Sequence, residues 1–213
     1  MIEVFKDFIP PKQQALILDF VSSSAFPYRF QDVHNESAGV AQKRYYPSDS
    51  LSDSLIDSVS DSYNSTIYAN PRQLTHHLFM KDEEQQKSPH YPILTPFLES
   101  IYSVVGDFDL LRAKVNVTMP DLRFDAYTSQ VPHVDLKYDN GTDLPHVVFL
   151  YYINDSDGPT YFYSEDFEIM RIIPPSMGTC VKFDGGTLHA GSNPNITPFR
   201  YVLNINIQLK ESK

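Results

Sequence analysis

Tryptophan is absent from these 213 residues, and cysteine occurs once, at Cys180. One thiol allows no intramolecular disulfide, so the fold must rest on its own apolar core, and a reducing compartment suits it. Cys180 lies in the strand-like run TCVKF and reads as a small buried hydrophobe rather than a reactive thiol. Basic residues are scarce: 17 Lys and Arg stand against 27 Asp and Glu, a formal net charge of −10. Such a chain is a poor non-specific partner for nucleic acid, whose phosphates need Lys and Arg. The densest basic spot is only Gln42-Lys43-Arg44. No run of eighteen apolar residues occurs, which argues against a membrane-spanning helix. The opening MIEVFKDFIPP carries neither a basic n-region nor an apolar h-region, so no secretory signal is expected. Asn64-Ser65-Thr66 and Asn195-Ile196-Thr197 are then compositional accidents rather than glycan acceptors.

What is present suffices for a sizeable core. Hydrophobic residues make up 41% of the chain, with 14 Phe and 14 Tyr. The reading is one domain, with a supporting region over 1–107 and a β-rich core over 108–210. A short strand over 2–8 is followed by Pro10-Pro11, which suits a helix start, and an apolar-faced helix to about Ser22. Leu51, Leu55, Ile56 and Val59 recur at helical spacing, Gln73 to Met80 reads as a strand, and Thr95 to Val105 as an amphipathic helix. Lys81 to Pro92 reads as a loop. From Phe108 onward, short β-rich runs alternate with turn signals such as DNG, DSDGP, PPSMG, DGG and SNPN. This spacing argues a sandwich or jelly roll, with the N-terminal helices packed on the outside of one sheet.

Four residues stand out chemically: His133, Asp135, His189 and Arg200. In a strand, alternate side chains share a face, so His133 and Asp135 would project together, about 7 Å apart at Cα. His189 follows a Gly-Gly turn that can present a third ligand. Two imidazoles and a carboxylate on one face of a metal leave the other open, which suits non-haem Fe(II) and O2 chemistry. An HxD triplet alone carries little weight; its setting carries more. HVD ends one β-like run, His189 follows another, and Arg200 opens a third. Arg200 shares a strand face with Val202 and Asn204, and an inward guanidinium needs an anion.

With these residues in place, Asp121 to Leu209 resembles the prolyl-4-hydroxylase-like branch of the Fe(II)/2-oxoglutarate-dependent oxygenases. HVD, FLYYINDSDGPTYFY, PPSMGTCVKFDGGTLHAG and FRYVLNI carry the resemblance, and IEVFKDFIPPKQQALILDFV is similar to the family's opening strand and helix. The resemblance implies a double-stranded β-helix, a cupin-like jelly roll. It implies Fe(II) held by His133, Asp135 and His189, with 2-oxoglutarate as cosubstrate and O2 as oxidant. Arg200 would clamp the distal carboxylate of 2-oxoglutarate. It implies hydroxylation of an unactivated C–H bond, with release of succinate and CO2, by default on a peptidyl proline. Arg200 falls eleven residues after His189, where the family's basic residue often falls nine or ten after, as though the loop were one residue longer. A cytoplasmic location is expected from the lone cysteine and the missing signal; in style the chain is similar to phage-encoded members, which would make it the host cytoplasm.

Other residues stay open. Tyr152 matches the family's tyrosine near the distal carboxylate, or is a core tyrosine with a satisfied hydroxyl. Tyr127 either reaches the cosubstrate or packs in the core. Asn204 and Asn206 line the pocket or its rim. His34, His76, His77, His90 and His146 show no ligand pattern, and His146 is expected at the rim. The loops Tyr28 to Tyr46 and Leu136 to Pro145 are candidate walls for a peptide or protein substrate, and the latter a candidate lid. Rival readings are a nucleic-acid demethylase on the same metal site, whose pattern has a further Arg beyond the clamp, and a cupin-like metal-binding protein without oxygenase activity.

Overall fold

The computed structural model describes residues 1–31, 73–81, 86–121, 129–130, 132–136 and 144–210. The expected helix around Leu51 to Val59, Tyr127, His34 and most of both candidate substrate loops lie outside these residues.

In chain order the elements are β1 (Glu3–Phe5), α1 (Pro11–Val21), β2 (Arg29–Gln31), β3 (Gln73–Met80) and β4 (Gln86–Lys87). A 3-10 turn (Tyr91–Leu94) leads into α2 (Thr95–Val105). Then follow β5 (Phe108–Thr118), β6 (Val147–Tyr152), β7 (Thr160–Tyr163), β8 (Ile169–Ile173), β9 (Cys180–Asp184), β10 (His189–Gly191) and β11 (Arg200–Leu209). Both α-helices among the described residues fall where periodicity put them. Pro11 opens α1, where a missing N–H costs nothing. Gly106, at φ 76°, ends α2 and donates its N–H to the Tyr102 carbonyl, a conformation that favours glycine. The stretch read as a loop between β3 and α2 is more ordered than expected, because β4 pairs with β3.

Among the described residues the strands form two antiparallel sheets. The larger runs β1-β9-β6-β11-β5-β3-β2, with β4 on β3; the smaller runs β10-β7-β8. This is the expected jelly roll, and period-two alternation divides its layers. Phe149, Tyr151 and Ile153 face outward on β6, joined by Val115, Val117, Leu203 and Ile205. There α1 and α2 cover them through Ile17, Val21, Phe97 and Ile101. Burial of each such side chain stabilises the fold by about 1.5–3 kcal/mol relative to exposure. Val148, Leu150 and Tyr152 face inward and meet Phe162, Val181, Phe183 and Val202 between the sheets. Cys180 is fully buried, as its strand setting implied.

The inner face is not uniformly apolar. On β5 the residues alternating with Ala113, Val115 and Val117 are Arg112, Lys114, Asn116 and Thr118. They lie in register with Asn206, Asn204, Val202 and Arg200 of β11. One end of the sandwich is therefore greasy and the other polar, and the candidate site lies on the polar side.

Candidate metal and anion site

His133 and His189 are cross-strand partners. Each donates its backbone N–H to the other's carbonyl, at 3.0 and 3.1 Å, and their ring centroids are 4.8 Å apart. The approach to His189 is built by the turn after β9. Asp184 accepts the Gly186 N–H on its carboxylate (2.8 Å) and the Thr187 N–H on its carbonyl (2.9 Å). His189 Nδ1 lies 3.0 Å from the Thr187 carbonyl, which fixes Nδ1–H as donor and leaves the Nε2 lone pair facing inward. That nitrogen is 3.8 Å from Asp135 Oδ2. Ligand atoms of His133, Asp135 and His189 all lie within 4.8 Å of one another. Burial lowers the His189 pKa, partly countered by Asp135, and so favours the neutral imidazole that binds metals.

The sequence reading expected one continuous strand through HVD. Among the described residues this segment makes only isolated bridges, Ser129 to Ser192 and His133 to His189, and Asp135 lies in a bend. Strand parity is thus not what aims Asp135. Three side chains on the larger sheet do so. Arg112 donates to Oδ1 at 2.8 Å and to the Asp135 carbonyl at 3.2 Å. Asn204 and Asn206 donate to Oδ2 at 2.8 and 3.0 Å, and Asn206 Oδ1 in turn accepts from Arg112 Nε at 2.9 Å. Burial alone would raise the Asp135 carboxyl; the Arg112 guanidinium, with His189, outweighs it and holds the group well below the usual carboxylate range. A carboxylate offers about four lone-pair sites. These side-chain donors take three and leave one for a cation. The donor set therefore fits a divalent iron: two imidazoles and an ionised, oriented carboxylate.

Arg200 lies on the same inner face, 6% exposed. Its Nε donates to the Gly158 carbonyl (2.7 Å) and one terminal nitrogen to Thr160 Oγ1 (2.9 Å). Tyr152 donates its hydroxyl to the same Thr160 oxygen (2.8 Å), and the guanidinium carbon lies 5.8 Å from the Tyr152 ring centre. Burial pushes the Tyr152 phenol up to about 12, so it stays a neutral donor. Among the described residues no carboxylate pairs with Arg200. A buried guanidinium held by neutral groups is costly unless an anion joins it. Asn116 Oδ1, Thr118 Oγ1 and Asn204 Oδ1 are also buried there without a hydrogen-bond partner among the described residues. This polar lining fits a dicarboxylate such as 2-oxoglutarate.

The loop before Arg200 also explains its longer spacing. Asp157 accepts the backbone N–H groups of Asn195, Ile196 and Thr197 at 2.8–3.0 Å and the Thr197 hydroxyl at 2.6 Å. The extra chain is folded against the β6–β7 loop, and Arg200 enters β11 in register.

Tyr127 lies outside the described residues. His76 and His77 point to opposite faces, as expected of strand neighbours: His76 bonds the Pro27 carbonyl and Ser88, while His77 is the inner-face register partner of Lys114. His90 packs against Phe20, Phe26 and His76. His146 is not at the rim: it is 5% exposed, its Nδ1 against the Leu144 carbonyl. Gly185 makes room for its ring, since a Cβ there would overlap it. Arg112, Lys114, Thr160 and Gly158 were not singled out from the sequence. The readable signal was a central strand, LRAKVNVT, polar and cationic on one whole face.

No family model and no curated protein matches the sequence. Solved structures do match in fold. The non-haem α-ketoglutarate-dependent epimerase SnoN from nogalamycin biosynthesis aligns over 98% of this chain and 77% of its own, at 12% identity and TM-score 0.60. HygX from Streptomyces hygroscopicus, with nickel, 2-oxoglutarate and hygromycin B bound, aligns over 98% and 83%, at 11% identity and TM-score 0.51. A Pseudomonas putida prolyl-4-hydroxylase aligns over 98% and 92%, at 12% identity and TM-score 0.48, too loosely to carry an argument. The chain shares its fold with SnoN and HygX. Among the described residues no helix is long and apolar enough to cross a membrane.

Proposed function

We propose that this protein is an Fe(II)- and 2-oxoglutarate-dependent dioxygenase that hydroxylates an unactivated C–H bond of a peptidyl, by default prolyl, substrate. One observation carries the reading: a His133–Asp135–His189 cluster shares a buried inner face with Arg200, a guanidinium that has no acid partner among the described residues. A metal-binding protein without oxygenase activity has no need of that second feature. SnoN and HygX, which share the fold, add support, since one is an α-ketoglutarate-dependent enzyme and the other holds 2-oxoglutarate.

In this reading His133, Asp135 and His189 would hold the iron, and Arg200 would bind the far carboxylate of 2-oxoglutarate. Iron, 2-oxoglutarate and O2 together supply the oxidation, in which one oxygen atom enters the substrate and the other enters succinate as CO2 leaves. Thr187 holds the His189 tautomer. Arg112, Asn204 and Asn206 keep Asp135 ionised and aimed. Tyr152 and Thr160 set the Arg200 fork. The apolar inner cluster of Val148, Leu150, Phe162 and Phe183 packs beside His189, through the Phe162 and Phe183 rings.

The test is succinate release with proline-containing peptides, free amino acids and methylated oligonucleotides under identical conditions. Stimulation by proline peptides is expected. Stimulation by oligonucleotides alone would promote the demethylase, and no 2-oxoglutarate turnover under any condition would remove the oxygenase reading.

A further inference from the structure

Lys114 is unaccounted for by the metal and cosubstrate machinery. It stands on the inner face of β5 between Arg112 and Asn116, in direct register with Asn204 of β11 and His77 of β3. Arg112 and Asn204, its neighbours along and across the sheet, both reach Asp135. Lys114 therefore sits at the level of the metal cluster, within electrostatic reach of Asp135 and His189. It is only part-exposed, yet no hydrogen bond or ion pair engages its ammonium among the described residues. Asp135, the nearby acid, already receives Arg112, Asn204 and Asn206.

Charge decides what is missing. An iron(II) ion and Arg200 bring three positive charges. The two carboxylates of 2-oxoglutarate, with Asp135, bring three negative ones. Among the described residues Arg112 and Lys114 then remain uncompensated on the inner wall of a protein whose net charge is −10. Arg112 is anchored by Asp135 and Asn206, whereas Lys114 is not. A half-buried ammonium without a partner is costly and implies an anion that arrives with a ligand. His77, on the side of Lys114 away from β11, is exposed, so this wall opens to solvent there.

We propose that Lys114 is the substrate's anion seat and that the enzyme acts on a substrate bearing a carboxylate close to the oxidised carbon. For a peptide this is an acidic side chain beside the target residue, or a terminal carboxylate. A single free ammonium matches one negative charge. A nucleic-acid backbone would need a track of cations, and among the described residues the inner wall holds none beyond Arg112, Lys114 and Arg200. The inference rests on the oxygenase reading above and deepens it.

The experiment uses the full chain loaded anaerobically with Fe(II) and 2-oxoglutarate, whose charge-transfer absorption is recorded in the same sample. The probe is an equimolar pool of acid and amide pairs: capped tetrapeptides with Glu or Gln on either side of proline, N-acetylproline with N-acetylprolinamide, and a phosphoserine counterpart. Retained compounds are read by mass spectrometry. The acids should be retained about tenfold over their amides, as loss of one charge-assisted contact implies. Lys114→Met should bring the pairs to near parity, and Lys114→Arg should keep most of the preference, with the absorption unchanged in both. Acids held no better than amides, including no retention of either, overturn the proposal, as does a preference that survives Lys114→Met. Retention of phosphoserine over the carboxylates overturns the carboxylate assignment. Loss of the absorption in Lys114→Met alone would assign Lys114 to the cosubstrate instead. No absorption in the unaltered protein is a different outcome: it removes the oxygenase reading, and this proposal with it.

Discussion

Arg200 and Arg112 show how differently two buried guanidiniums can be employed. Arg200 is held by a carbonyl and a hydroxyl, both neutral, and is left with charge to offer. Arg112 is spent on Asp135 and Asn206. Their substitution should therefore separate two functions. Arg200→Met should weaken 2-oxoglutarate binding by about 2–4 kcal/mol while metal occupancy persists. Equilibrium binding of 2-oxoglutarate to the metal-loaded variant measures this, and an unchanged affinity would place the clamp elsewhere. Arg112→Met should do the reverse, lowering metal affinity about 10- to 100-fold through the loosened Asp135. Anaerobic Fe(II) titration of that variant checks it; metal binding equal to the unaltered protein would show that the two asparagines suffice. His133, Asp135, His189 and Arg200 were legible because each lies at the end of a β-rich run beside a turn. Arg112 was not, since its role is created by pairing with Asn206, 94 residues away, and by a bend rather than by strand parity. The alternating polar face of β5 was visible, but only the sheet register shows what it faces.

At the level of elements, the decisive pair is two loops. The β6–β7 loop carries Asp157, whose carboxylate gathers the backbone of Asn195 to Thr197 and so positions the entry to β11. Burial would raise this carboxyl; hydrogen bonds from Thr197, Ile196 and Asn195 outweigh it and depress it below its ordinary value. A depressed carboxyl contributes stability that is complete above its unfolded pKa, about 3.9, and is lost as pH falls toward the folded value. Asp157→Asn should thus lower the melting temperature at pH 7, and the gap to the unaltered protein should narrow as pH drops below about 4. Melting followed by circular dichroism across this range tests it; a gap constant with pH would mean the carboxylate's charge is not what holds the loop. Helix and strand placement from periodicity succeeded at α1 and α2, which pack an apolar face on the larger sheet, and at β3, a strand of that sheet whose Leu78 and Phe79 join the same core. It failed at His146, where the space opened by Gly185 draws a polar ring inside, and through HVD, where a strand was expected and bridges stand instead. No local signal marks either.

Among the described residues the molecule is a jelly roll of two sheets, and the inner face of the larger one is apolar on β6 and β9 and polar on β5. Helices and outward strand residues make one core, and the inter-sheet apolar cluster makes a second that packs beside His189. Among the described residues the other side gathers three cations and one acid in a chain that is acidic overall. That inversion of charge, more than the fold, argues for small anionic ligands, because the same fold serves many reactions. The central claim is that His133, Asp135 and His189 hold iron while Arg200 holds 2-oxoglutarate on it. The most direct measurement is an anaerobic titration of the protein with Fe(II) and then 2-oxoglutarate, followed by visible absorption. The account predicts a charge-transfer band that saturates at one equivalent of each, vanishes in His133→Ala, Asp135→Ala and His189→Ala, and needs far more 2-oxoglutarate in Arg200→Met. Absence of the band from the unaltered protein, or its full retention in any of the three alanine variants, would contradict it.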